Sequence, residues 1–179
     1  MSFRILLRHW LACLICCLPL LVLLLIPQLM RSRAGSGELL MVGTTLLLAL
    51  LIAAFILAPE ISARFAPARD GWEPGSALRS TRQLWRRRPG ATSAALIVAV
   101  VIYAAGQLLG YALAELVPYV TENPGRLSDP DAAMWTIRYP AYALQALVLY
   151  ISTTGAVAVY ALRLRTLHLD LRGGAPASA

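Results

Sequence analysis

The sequence predicts an all-α integral membrane protein with four transmembrane helices and one short basic amphipathic interfacial helix. Three observations lead there. Of 179 residues, 59% are hydrophobic and 14% charged, with a mean hydropathy of +0.66, whereas a soluble domain carries about a quarter charged residues. The apolar residues gather into four runs without a charged side chain, giving spans of about 10–30, 39–59, 90–114 and 139–162. The positive charges between them are arginines, since the chain has no lysine, and they are shared unevenly among the loops.

Each run is long enough to cross hydrocarbon, which takes about 20 helical residues. No run alternates like a strand, and a spanning segment must satisfy its own backbone, so helices are expected. The first run follows Arg4 and Arg8, as a signal peptide would. It is longer than the roughly 7–15 apolar residues of a signal core and ends at Arg31 and Arg33, so it reads as a retained helix. Pro19 and Pro27 predict bends in it, with the freed carbonyls satisfied by neighbours. Cys13, Cys16 and Cys17 form a CxxC-like cluster in this run. No second pair exists to receive electrons, and small apolar packing residues are the better reading.

A Gly/Ser turn at 31–38 makes the first two spans an antiparallel hairpin. The loop 60–89 is broken by Pro67, Gly71, Pro74 and Gly75. Ser76 then offers an N-cap for a helix over 77–88, stopped by Pro89-Gly90. Ala77, Leu78, Thr81, Leu84 and Trp85 share one face of it, and Arg79, Arg82, Arg86, Arg87 and Arg88 lie elsewhere. This pattern suits the membrane interface. The outer loop 115–138 carries Glu122, Asp129 and Asp131, and Ser128-Asp129-Pro130-Asp131 reads as the start of a short helix through Trp135. Two carboxylates fall short of the six or more oxygens that calcium takes.

Arginine sets the orientation. Twelve flank the first span's start, the 60–89 loop and the last span's exit, against four in the other two loops. By the positive-inside rule the larger group is cytoplasmic. Both termini then lie inside, an assignment that requires an even number of spans, which the count independently supplies. Trp10, Trp85 and Tyr160 are expected at the inner interface, and Tyr119, Trp135 and Tyr139 at the outer.

Within the spans, Gly106, Gly110 and Ala114 make a small-residue ladder that lets another helix approach, in this chain or in a second copy. Ser152, Gly155 and Ala156 offer a comparable surface in the last span. Gln107 and Gln145 sit at similar depth, and a hydrogen bond between them is expected. No Asp, Glu, Lys, Arg or His lies deep in any span, which removes the usual parts of a proton relay. His9 and His168 have no partners at metal-ligand spacing. No phosphate loop, GxSxG or HExxH occurs. The sequence therefore points to no catalytic, cofactor or metal site, and shows no nucleic-acid recognition module.

Two segments carry a resemblance. Ser76-Ala77-Leu78-Arg79-Ser80-Thr81-Arg82-Gln83-Leu84-Trp85-Arg86, and Tyr160-Ala161-Leu162-Arg163-Leu164-Arg165 followed by Leu169-Asp170-Leu171, resemble the membrane domain attached to some bacterial glycerophosphodiester phosphodiesterases and related stand-alone membrane proteins. The likeness covers residues 76–171. Ala161 departs from the family's usual acid, and Leu167-His168 from its Glu-Gly. That domain has about six helices, against four here, and no hydrolase part is present. The resemblance implies a membrane module and gives no licence to assign phosphodiesterase activity.

The resulting expectation is a single-domain, multi-pass protein of the bacterial inner membrane: a non-enzymatic accessory or scaffold module. It would touch the anionic inner leaflet and a membrane-protein partner or a second copy. The alternative is a component of a transporter or lipid-handling system.

Overall fold

The structure, a computed structural model, describes residues 3–31, 34–68, 71–117, 119–120 and 136–173. It is all-α in character. The helices are α1 (Phe3–Cys16), α2 (Leu18–Leu24), α3 (Pro27–Met30), α4 (Gly37–Phe65), α5 (Ala77–Arg87), α6 (Pro89–Ala114) and α7 (Tyr139–Gly173). Two residues on each side of the 121–135 segment pair as antiparallel strands, β1 (Tyr119–Val120) with β2 (Thr136–Ile137). The sequence reading anticipated no strand. Val120, Thr136 and Ile137 are β-branched and favour the extended pairing. The expected helix from Ser128 through Trp135, with Asp129, Pro130 and Asp131, lies outside the described residues, as do Glu122, Arg33 and Trp135 itself.

Three helices, α4, α6 and α7, are long and apolar enough to cross a membrane. The bent pair α1–α2 makes a fourth if its two pieces count as one span. At about 1.5 Å per residue the three run roughly 43, 39 and 52 Å. In its most apolar window α4 is 11% buried and α6 17%, against 56% for α7. The first two therefore present outward faces rich in large apolar side chains, among them Met41, Leu48, Ile52, Ile97, Val101 and Leu108. α4 does not stop at Pro59 as the sequence reading had it; the proline sits inside the helix, which continues to Phe65.

The chain divides into two compact units, each drawing on α4, α6 and α7. One comprises 1–17, 53–104 and 153–179; the other comprises 18–52 and 105–152. Their charges differ sharply. The first holds twelve arginines and four carboxylates, a formal +8, and the second four arginines and five carboxylates, a formal −1.

In the second unit the proline break is repaired by α7. Pro27 cannot donate to the Leu23 carbonyl and begins α3 instead. The Leu24 carbonyl accepts from the Tyr142 hydroxyl at 2.6 Å, and the Leu25 carbonyl from Tyr139 at 3.3 Å. The expected Gln107–Gln145 bond is not what forms. Gln145 Nε2 donates to the Gly110 carbonyl at 2.6 Å, and its Oε1 accepts from Arg31 at 2.5 Å. Gly110 has no side chain to shield its carbonyl, so Gln145 reaches backbone rather than the half-buried Gln107.

The small-residue ladder is spent within the chain. A Cβ on Gly106 would overlap the Ser152 side chain, and one on Gly110 would overlap Leu149. α6 and α7 meet through these two steps, while Ala114 is half-buried at the end of α6. Gly155 is a correction: a Cβ there meets nothing within 4 Å, so Ser152 supplies the close approach. Replacing Gly106 by Ala should therefore cost about 1–3 kcal/mol, the usual penalty of overpacking. Gly155→Ala should be neutral or gain up to about 1 kcal/mol from lower backbone entropy. Thermal unfolding of the two variants in one detergent checks this, and equal losses would contradict it.

Candidate functional site

The basic helix α5 is held in place by charge and by packing. Ser76, expected as its N-cap, makes no cap bond. Its hydroxyl donates instead to the carbonyls of Gly71 (3.0 Å) and Glu73 (2.9 Å). The free N–H groups of this helix start are taken by Glu60, reaching over from α4 to Gly75 N at 2.8 Å and Leu78 N at 3.3 Å. A carboxylate at the positive end of a helix is favourable on both counts. The sequence reading stopped the second helix at Pro59 and so placed Glu60 in a loop, out of reach of this role.

The expected apolar face of α5 is divided between two tasks. Ala77 and Leu84, with Ser80, are buried in the unit's core. Leu78, Thr81 and Trp85 turn instead to a cleft of about 370 Å³, completed by Arg82, by Phe55, Ile56 and Pro59 of α4, by Leu96 of α6 and by Tyr160 of α7. Tyr160 is only 6% exposed and packs against Phe55 with ring centroids 5.7 Å apart. It lines the cleft beside Trp85 of α5. Arg79, Arg82, Arg86, Arg87 and Arg88 are all exposed. Apolar walls with one guanidinium and one hydroxyl on the α5 side suit a molecule with an apolar tail and a polar head. They offer no nucleophile or base.

A second cluster in the same unit escaped the sequence reading. His9 Nδ1 bonds the Ile5 carbonyl at 2.7 Å, which makes this nitrogen the donor and leaves Nε2 of the neutral ring as an acceptor. Nε2 lies 2.7 Å from Ser62 Oγ, whose hydroxyl donates to it. The same Oγ accepts from Trp72 Nε1 at 3.2 Å. Trp72 is fully buried and its ring lies 5.5 Å from that of His168. Gly71, at φ +95°, makes the turn that delivers it, and its carbonyl accepts from Ser80 at 2.8 Å. Arg165 caps the end of α4 through the Ala66 carbonyl at 3.2 Å.

A serine hydroxyl on a histidine oriented by a carbonyl has the connectivity of a nucleophile and its base. Here Ser62 is 1% exposed and its oxygen is already engaged by Trp72. The group pins the 66–76 loop to α1, α4 and α7 and presents nothing to a substrate. Ser62 and His9 are 53 residues apart, so no spacing could reveal them. The available signal was a tryptophan in an otherwise polar turn, which needs somewhere to be buried. Of the cysteines, Cys13 and Cys17 are buried and Cys16 exposed, all as free thiols.

No protein-family model, curated protein or solved structure matches the chain. The polar pin makes its own prediction. Ser62→Ala strands both His9 Nε2 and Trp72 Nε1, at about 1–3 kcal/mol for each buried group left unpaired. The variant should lose several degrees in thermal midpoint and show red-shifted Trp72 emission, and unchanged stability would contradict the network.

Proposed function

We propose that this chain is a non-enzymatic, multi-pass protein of the bacterial inner membrane that serves as an accessory or scaffold module. It crosses four times, counting α1–α2 as one bent span, with both termini in the cytoplasm and α5 at the inner interface. The observation that carries this reading is the pairing of two features. Apolar side chains cover the outward faces of α4 and α6. Twelve of sixteen arginines fall in the segments assigned to one side. Large exposed apolar surface is costly in water and free in lipid, and the arginine bias sets the hand of insertion. The likeness of residues 76–171 to the membrane domain of glycerophosphodiester phosphodiesterases supports the same reading, a module that accompanies another activity.

A lipid-handling role is the second reading, favoured by the amphipathic cleft beneath α5. A transport role would draw on the proline-bent first helix and the region of Gln107 and Gln145, where Gln145 bonds Arg31 and Gly110.

Reporter fusions after Ala179 and at Gly35 should report cytoplasm and periplasm respectively, and the reverse pattern would overturn the topology. Extraction in mild detergent should recover the chain with a stoichiometric membrane partner or a second copy. A strictly solitary monomer would contradict the scaffold reading. A serine-reactive fluorophosphonate should leave Ser62 unlabelled, and labelling that Ser62→Ala abolishes would reinstate an enzyme.

A further inference from the structure

We infer that the cleft formed by α4, α5 and α6 binds one acyl chain of an anionic phospholipid, with the lipid phosphate held by Arg82. The inference rests on the membrane reading above and names the ligand of its lipid-handling form.

Phe55, Ile56, Pro59 and Leu96 give the cleft apolar walls, and Tyr160, its ring tilted against that of Phe55, adds an aromatic surface. Its side-chain cation, Arg82, comes from α5, next to the Trp85 indole, while the Thr81 hydroxyl beside it already donates to the Ala77 carbonyl at 2.9 Å. A wholly polar solute would leave the walls unsatisfied, and a purely apolar one would leave the guanidinium facing nothing. An amphiphile matches both parts.

Charge decides which amphiphile. Arg79, Arg82 and Arg86 are spaced by three and four residues and so form one exposed stripe along α5. None of the three has a carboxylate partner among the described residues. Glu60, the acid on the facing helix, is already occupied by the N–H groups of Gly75 and Leu78. The surrounding unit carries a formal +8, which favours an anion at the stripe. A guanidinium pairs with a phosphate in a fixed fork. A zwitterionic headgroup brings its own cation into the stripe and is disfavoured by it.

The test uses the full-length chain in detergent, titrated with phosphatidylglycerol or phosphatidylcholine, with retained lipid counted by native mass spectrometry. The wild type should retain one phosphatidylglycerol, about tenfold more tightly than phosphatidylcholine, a difference of about 1.4 kcal/mol. Arg82→Gln should weaken phosphatidylglycerol most, and phosphatidylcholine, which carries the same phosphodiester, to a smaller extent, so that most of the preference is lost. Ile56→Trp fills the cleft from a side chain that is 58% exposed, so it spares the core and should weaken both lipids. Arg163→Gln, at an exposed arginine outside the cleft lining, should change neither. Millimolar glycerol 3-phosphate should fail to displace the lipid.

Equal retention of the two lipids by the wild type overturns the proposal, as does an Arg163→Gln loss matching that of Arg82→Gln. Displacement by glycerol 3-phosphate overturns the acyl-chain occupant. A chain that stays dissolved without detergent instead refutes the membrane reading itself, before any lipid is added.

Discussion

The structure depends on α7 closing polar groups that the rest of the chain leaves open. In one unit Tyr139 and Tyr142 supply donors to the carbonyls at the Pro27 break, and Gln145 ties Arg31 to the Gly110 carbonyl. In the other, Arg165 caps α4 and His168 packs on the ring of Trp72. Where apolar side chains exclude water, an unpaired carbonyl or N–H costs more than any single packing contact returns. One long helix with polar residues at both ends of its apolar middle meets that need, which is why α7 is the most buried of the long helices.

Packing then follows from small residues. Ala58, Ala63, Ala99, Ala156, Ala158 and Ala161 are almost fully buried in the first unit, and Gly106 and Gly110 do the same work in the second. Helix association in lipid has no hydrophobic drive of its own and relies on such close contact. The large aliphatic side chains are left to face outward, the reverse of a soluble core.

The same division of labour gives α5 its character. Its buried side docks through Ala77, Ser80 and Leu84, its end is held by Glu60, and its arginines are left uncommitted. A helix so mounted is a fixed cationic ledge over an apolar cleft.

Sequence alone determined the helical class, the apolar stretches within α4, α6 and α7, the break around Pro27, the extent of α5 and the lopsided arginines. Each of these is written in local periodicity, composition or charge order, which need no partner to be read. Tertiary structure alone decided where polar groups go. Gln145 chose Gly110 over Gln107 because a glycine bares its carbonyl. Glu60 displaced Ser76 as the cap because α4 continues past Pro59 and carries a carboxylate to the next helix. Ser62 met His9 across 53 residues. Hydrogen bonds of that kind depend on which surfaces face one another, and a linear pattern holds no record of that.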